Sequence, residues 1–372
     1  MELVSIRVNK EGMSMIATTT WEHNFTNYSN IDNINENGHQ HLEILQPLTT
    51  DKVRLQLNNL YDEIPLKISN IEISTNTNVK KNVTLNGKDS FEIAPRLIEW
   101  SDWIDINLEA NTFLAIDIIS PNKTIHSAGL TISNDLIKTA DLDPQEPKYF
   151  FGVSGIQVQT DQTHEKIAFF GDSLTNQGNF SAPLSVELEN TFHIMTANFG
   201  ISGNRLLHQG NSVSKWSTSF GEAGFTRFDH MLATYQPNIV IFMEGVNDLL
   251  HPGTGTPISE LPSAEAVLTA IKIIKERCRK HGATFVPMTV TPANGNINGG
   301  VSAWSDQKEA LRLSINEGLL KMPHIIDLAT LVGENGKLKP EFDCGDHVHL
   351  SKTGGKIVAK YIEDQLIRKK MI

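Results

Sequence analysis

The sequence predicts a two-part chain: an all-β sandwich over residues 1–160, then an α/β domain with a five-stranded parallel sheet over residues 165–372. Three observations point there. Short alternating or apolar runs, punctuated by Asn, Gly and Pro, fill the first half. Past residue 165, apolar runs take turns with stretches of helical periodicity. Neither part contains an internal repeat or a Pro-rich tether.

In the first part the runs are LVSIRV, KVRLQLNN, LKISNIEIS, FEIAP, WIDINL, FLAIDIIS, SAGLTIS and VSGIQVQ. Turn-rich segments around Asn58 to Glu63 and at TLNGKDS separate them, the pattern of a sandwich. The Asn-rich segment from Asn27 to Glu43 reads as irregular, either a surface loop or part of a cleft wall. Asp161 to Glu165 is the expected linker. Beyond it, Ile167–Phe170, Ile194–Phe199, Asn238–Met243, Thr284–Thr289 and His324–Leu328 read as buried strands. The helical patterns APLSVELENT, SAEAVLTAIKIIKERCRKHG and WSDQKEALRLSINEGLLK follow the first, third and fourth of these, and KTGGKIVAKYIEDQLIRKK closes the chain. The pattern ending at Lys280-His281-Gly282 places basic residues in its last turn and a glycine just past it, as helix C-termini favour. This alternation implies a parallel sheet with helices on both faces.

The chain has 372 residues, 39% of them hydrophobic and 20% charged, enough for a core of ordinary size. A net charge of -11 repels phosphate backbones and anionic lipid, so no nucleic-acid or membrane partner is expected. The first twenty residues lack a basic start followed by an apolar stretch, and no apolar run approaches a membrane span. Cys278 and Cys344 are too few for a disulfide framework and read as reduced thiols. A cytoplasmic location is expected, and a homo-oligomer is left open.

Ligands of a doubly wound sheet sit beyond the C-terminal ends of its strands. GDSL at 171–174, NFGISGNR at 198–205, EGVND at 244–248 and DCGDHVHL at 343–350 all fall at or beyond such ends. Taken alone, GDSL fits a turn with Ser173 as helix cap as well as it fits a nucleophile. Gly203 alone is a turn glycine, and Asn247 alone an Asx turn. Together the blocks supply an acyl-transfer site. A serine hydroxyl needs an adjacent base, which His349 can be, and Asp346, three residues earlier, can orient the imidazole. The backbone N–H groups of Ser173 and Gly203 and the side-chain amide of Asn247 are the candidate oxyanion donors.

Rival readings attach to several residues. His347 is an alternative base, but Asp346 is its immediate neighbour, and adjacent side chains on extended backbone point apart. Cys344, Asp346, His347 and His349 all offer metal-ligand atoms, yet their spacing matches no recognised zinc pattern, so no metal or cofactor is expected. Asp172 and Asp248 suit loop organisation by accepting backbone hydrogen bonds. Arg205 and Arg227 either anchor a substrate anion or tie loops to carboxylates, the second reading being preferred. Asp229 and Glu244 are assigned local hydrogen bonding. Trp21, Trp100 and Trp103 suit core packing, with stacking on sugar rings as the alternative. No G-x-S-x-G occurs; GISGN around Ser202 differs at its last position.

The four blocks resemble the GDSL, or SGNH, family of serine hydrolases, named for Ser, Gly, Asn and His in separate blocks. They match here as Ser173 in GDSL, Gly203 in GISGN, Asn247 in GVND and His349 in DHVH, with Asp346 in the D-x-x-H pair. The order is the family's, and the resemblance covers roughly residues 165–372. It implies a flavodoxin-like three-layer fold, a triad of Ser173, His349 and Asp346, and no required cofactor. NFGISGNRLL and MEGVND look like a bacterial branch, some of whose members carry an N-terminal β domain. Leu350 stands where many relatives have proline, which bears on loop stiffness and not on chemistry. The expected function is hydrolysis of short-chain acyl esters through an acyl-serine intermediate, on a small-molecule or oligosaccharide ester such as an acetylated sugar. The alternatives are an acyltransferase using the same serine, and a carbohydrate-binding protein whose hydrolase half is weak or inactive.

Overall fold

Alternating apolar side chains give the first half its sheets. The computed structural model describes residues 7–8, 14–32, 34–76, 79–132, 134–139, 147–210 and 216–372. Among the described residues up to Thr160, every regular element is a strand. The main ones are β1 (Ser14–Glu22), β2 (His39–Gln46), β3 (Thr50–Asn58), β4 (Asn70–Ser74), β5 (Thr112–Ile119), β6 (Ser127–Ile132) and β7 (Pro147–Thr160). β7 pairs antiparallel with β1, β3 and β6, while β5 pairs antiparallel with β2 and β4. Val53, Leu55 and Leu57 of β3 and Leu114, Ile116 and Ile118 of β5 point inward at every second position. Both sheets thereby feed one apolar cluster that also holds Trp21 and Phe150. Each such aliphatic side chain, once buried, contributes about 1.5–3 kcal/mol.

Three first-half expectations change. Of LVSIRV, residues 3–6 lie outside the described residues, and Arg7–Val8 pairs with β1. LKISNIEIS breaks at Ser69: Leu66–Ile68 pairs with Phe91–Ile93, and Asn70–Ser74 joins β5. The Asn-rich segment is irregular only to Gly38, because β2 begins at His39. Its first residues, His39, Gln40 and His41, are polar and disguise the strand.

The second half follows the alternation of strand and helix. β8 (Lys166–Gly171), β9 (Met195–Gly200), β10 (Ile239–Met243) and β11 (Thr284–Pro287) form a parallel sheet in the order β9-β8-β10-β11. The helices are α1 (Ser173–Asn176), α2 (Ser181–Phe192), α3 (Gly224–Thr234), α4 (Val246–Leu250), α5 (Ala264–Lys280), α6 (Asp306–Leu319), α7 (Leu328–Val332) and α8 (Lys352–Arg368). Ser263, Ser305 and Ser351 start α5, α6 and α8, each accepting a backbone N–H from three residues on. α2 packs on α8, and α5 packs on α3 and α6, two groups that suit a sheet covered on both faces.

The sheet has four strands where five were expected. The run His324–Leu328 is reduced to one parallel bridge between Ile326 and Met288. His324 is left-handed, at φ 62°. Asp327 already caps α7 by accepting the Thr330 N–H, so too few residues stay extended to form a ladder. Among the described residues, no helix is long and apolar enough to cross a membrane.

The two halves meet along β9, an edge strand of the parallel sheet. His23, just past β1, forms a parallel bridge with Asn198, and the Asn24 N–H donates to the Asn198 carbonyl at 2.8 Å. The Ile132 N–H donates to the Gln177 carbonyl at 3.1 Å. The β-rich region thus covers an edge that would otherwise expose unpaired backbone groups.

One buried acid in this half gives a stability prediction. Glu189 on α2 has Oε1 2.6 Å from the Thr196 hydroxyl, and its Oε2 has no partner among the described residues. Burial pushes its carboxyl up to about 8, against the hydrogen bonds from Thr196. The folded chain therefore keeps a proton that the unfolded chain releases near pH 4.5, and stability falls as pH rises from there through about 8. Glu189→Gln keeps the neutral shape. Its Tm is expected to exceed that of the parent at pH 8, with the margin shrinking towards pH 5. Paired thermal melts check this, and a pH-independent margin contradicts it.

Candidate active site

The site begins where β8 ends. A side chain at Gly171 would collide with the Thr175 hydroxyl and the Met243 carbonyl, so glycine is required there. Asp172 then caps α1, its carboxylate accepting the Leu174 N–H at 3.0 Å. Asp172 takes the capping role, and this frees the hydroxyl of Ser173. That Oγ lies 2.7 Å from His349 Nε2. On the other side of the ring, Nδ1 lies 2.5 Å from Asp346 Oδ2.

The loop that carries the histidine holds itself in place. Asp346 Oδ1 accepts the backbone N–H groups of Val348 at 2.9 Å and His349 at 2.8 Å. Burial raises the Asp346 carboxyl, but the His349 ring and these two N–H groups outweigh it and hold the carboxyl well below the usual carboxylate range. Asp343 does the same work for His347, accepting its N–H at 2.9 Å and lying 2.7 Å from its Nδ1. His347, the alternative base, is thus paired with Asp343 and packs over Gly295. Cys344, Asp346 and His349 bring their ligand atoms within 4.8 Å of one another, and His347 stands outside that group.

The second and third blocks are fixed by buried polar bonds. Gly203 sits at φ +78°, and a Cβ there would strike the Phe220 ring. Asn204 is fully buried, its amide donating to the carbonyls of Phe220 and Glu222, both at 2.7 Å. Asn247 Nδ2 donates to the Asn204 carbonyl at 2.9 Å. An amide nitrogen carries two N–H groups, so this bond fixes the direction of the second. Asp248 accepts the backbone N–H groups of Leu206 at 2.6 Å and Leu207 at 2.9 Å, the loop-organising role read from the sequence.

Both arginines are spent inside the fold. Arg227 on α3 donates from Nε to Asn204 Oδ1 at 2.8 Å, from Nη1 to the Phe199 carbonyl at 2.6 Å and from Nη2 to the Gly171 carbonyl at 2.9 Å. Nη2 also lies 3.1 Å from Glu244 Oε1, and the guanidinium stacks 3.9 Å from the Phe170 ring centroid. Arg205 is fully buried, bonded to Glu260 at 2.6 Å and to the Gln209 carbonyl at 2.7 Å. Glu244 therefore does more than local bonding, since it is the counter-ion of Arg227. Asp229 pairs with Arg277 at 3.6 Å, away from these blocks.

Ser173, Gly203, Asn247 and His349 line one cavity of about 340 Å³. Tyr28, Leu130 and Tyr149 from the β-rich region form part of its wall, with Trp216, Phe220, His251, Asn296 and Asn298. Among the described residues, no Asp, Glu, Lys or Arg lines it. Burial pushes the His251 ring down to about 3, so it is neutral, and it lies against Phe220 with centroids 5.0 Å apart. A second cavity of about 440 Å³ shares Gln177 and His349 with the first, and is lined by Asp135, Cys344, Asp346, Lys352 and Lys356.

Most of the wall escaped the sequence reading. His251 could have been found, since it stands one helical turn after Asn247 and donates its N–H to the Asn247 carbonyl at 3.1 Å. Tyr28 belongs to the Asn-rich segment, for which a cleft wall was one of two readings. Trp216 and Phe220 gave no signal. Trp21 is core, whereas Trp100 and Trp103 hold Arg54 between them at 4.9 and 4.7 Å.

Comparison with known proteins defines the class. The model of the GDSL-like lipase/acylhydrolase family matches residues 169–357, and the chain belongs to that family. Membership implies carboxylic ester hydrolysis. No curated protein sequence matches the chain. Among solved structures, a GDSL-like lipase from Bacteroides thetaiotaomicron VPI-5482 is 18% identical, covering 55% of this chain and 88% of its own, with a TM-score of 0.40. A psychrotrophic esterase from Pseudoalteromonas sp. is 16% identical, covering 56% of this chain and 100% of its own, with a TM-score of 0.39. A catalytic mutant of an acetylxylan esterase from Geobacillus stearothermophilus is 18% identical, covering 54% of this chain and 94% of its own, with a TM-score of 0.38.

Removing the Arg227 charge should be felt in folding as well as in turnover. Arg227→Met leaves Glu244 buried without its counter-ion, and a loss of about 3–5 kcal/mol is expected in urea unfolding. Arg227→Lys keeps the charge but not the planar fork, and should fall between the two. Equal stability of all three would show that the pair carries no such weight.

Proposed function

We propose that the chain hydrolyses short-chain acyl esters of neutral, hydroxyl-rich alcohols, acetylated sugars above all, through an acyl-serine intermediate. Ser173 Oγ attacks the ester carbonyl as His349 Nε2 takes its proton. Asp346 holds the Nδ1–H and balances the imidazolium. The N–H groups of Ser173 and Gly203 and the amide of Asn247 receive the oxyanion. His349 then returns its proton to the departing alcohol oxygen. In the second half it takes a proton from water as the oxygen attacks the acyl-serine carbonyl, then gives that proton to Ser173 Oγ as the acyl–oxygen bond breaks and the free acid leaves.

The observation that carries this reading is the line Asp346–His349–Ser173, at 2.5 and 2.7 Å, opening on the cavity that Gly203 and Asn247 also line. The substrate class rests on the wall. Aromatic rings beside amides and a neutral imidazole suit an uncharged polyol, and among the described residues no charged side chain lines the cavity to hold an anionic one. At about 340 Å³ the cavity is near the small end of ligand sites, which favours an acetyl group over a long chain.

Ser173→Ala should lose about 10⁴-fold or more in kcat with an unchanged Tm, and Asn247→Ala about 10²–10³-fold. A panel of p-nitrophenyl esters of increasing chain length, with acetylated neutral and acidic sugars, tests the substrate. Acetate release from the neutral sugars should lead, and added alcohols should not divert the acyl group into new esters. A preference for long acyl chains, or full activity in Ser173→Ala, would remove the proposal.

A further inference from the structure

The proposed reaction makes no use of Cys344, a free thiol two residues before Asp346. Its sulfur, a carboxylate oxygen of Asp346 and a ring nitrogen of His349 lie within 4.8 Å of one another. Zinc and cadmium accept sulfur, oxygen and nitrogen donors, and around a tetrahedral zinc such donors stand roughly 3.3–3.7 Å apart, so the Asp346 carboxylate must swing off Nδ1 to admit an ion. The backbone already pins all three residues: the Cys344 N–H donates to the His349 carbonyl at 3.0 Å, and Asp346 Oδ1 takes the N–H groups of Val348 and His349. The cavity of about 440 Å³ is lined by all three and gives an ion a route from solvent.

We propose that Cys344, Asp346 and His349 form an inhibitory site for thiophilic divalent ions, zinc above all, and that filling it disarms the hydrolase. The inference rests on the proposed roles of Ser173 and His349 for its consequence, but not for the site itself. The ring nitrogen beside Asp346 is Nδ1, 2.5 Å from Oδ2. An ion bound there needs the Nδ1 lone pair, so the ring's proton must move to Nε2. The thiol releases its proton to solvent as it becomes a thiolate ligand. The ion then holds thiolate, carboxylate and neutral imidazole, with water in the fourth position. Nε2–H now donates to Ser173 Oγ, 2.7 Å away, and can no longer accept the hydroxyl proton. The nucleophile loses its base without leaving its place.

The test titrates the full chain with Zn²⁺ while following p-nitrophenyl acetate hydrolysis, and with Cd²⁺ while following the ultraviolet charge-transfer band of a cadmium–thiolate bond. Zn²⁺ should inhibit, EDTA should reverse it, and Mg²⁺, a hard cation, should do nothing. Cys344→Ser, compared with its own metal-free rate, should need about 10-fold more Zn²⁺ or higher, the loss typical of even an outer metal partner. The same variant should lose the cadmium band, while Cys278→Ser keeps it. His349→Ala, inactive by the proposed mechanism, should weaken the band. Unchanged zinc inhibition in Cys344→Ser, or no thiolate band in the parent, overturns the site. A parent that shows the band but no esterase activity would instead overturn the proposed function and leave the site standing.

Discussion

The buried guanidinium of Arg227 holds the candidate site together. Three parallel strands end at one rim of the sheet, and each hands over to a motif loop. Arg227 bonds the carbonyl that closes β8 and one near the close of β9, the side chain of Asn204 beyond β9 and the carboxylate of Glu244 beyond β10. A planar fork with five donors can serve that many acceptors at once, which an ammonium cannot. Burying such a charge costs several kcal/mol unless it is paired and fully bonded, and here Glu244 and the Phe170 face complete its surroundings. The relative positions of Ser173, Gly203 and Asn247 therefore depend on a side chain that lines neither cavity.

The β-rich region is part of the same construction. The Asn176 amide, on the short helix that starts with Ser173, bonds the Gly200 carbonyl at 3.1 Å and lies 3.2 Å from His23 Nε2. His23 Nε2 also lies 2.9 Å from the Leu130 carbonyl, and burial pushes its ring down to about 4, so the ring is uncharged and Nε2 bonds one of these two neighbours at a time. Through these contacts the helix of the proposed nucleophile is braced against the first half of the chain. The same half supplies Tyr28, Leu130 and Tyr149 to the cavity. Without it the cavity would lack one wall.

What could be read from the sequence follows from how narrowly each position is constrained. The D-x-x-H spacing was legible because it lets one carboxylate accept the N–H groups of residues 348 and 349 and still reach the His349 ring, although Asp343 reaches His347 in a similar way at a spacing of four. Gly203 is constrained because a Cβ there would strike the Phe220 ring, but alone it read as a turn glycine and it stood out only through the order of the four blocks. The four true strands announce themselves as buried apolar runs. The fifth failed because HIIDL is equally apolar whether extended or turned, and neither the φ of His324 nor the Asp327 cap leaves a periodic trace. α3, GFTRFDHMLAT, was not anticipated, although it delivers Arg227. The cavity wall was illegible for a different reason. Its residues come from segments far apart in the chain, and only tertiary packing gathers them.

Charge is sorted around His349 in a way that bears on the chemistry. The cavity beside Ser173 has no charged lining residue among those described, while the neighbouring cavity holds Asp135, Lys352 and Lys356. Among the described residues lining the cavity beside Ser173, no fixed charge competes with the amide dipoles of the proposed oxyanion donors for a developing negative charge. Asp172 is the exception that needs explaining, because an ionised carboxylate next to Ser173 would oppose a developing negative charge. Burial pushes its carboxyl up to about 7, outweighing the Leu174 N–H and the nearby His349 and Arg227. Near neutral pH it therefore carries only part of a charge. The same burial that isolates the residue capping α1 thus lowers the charge it would otherwise impose on neighbouring Ser173.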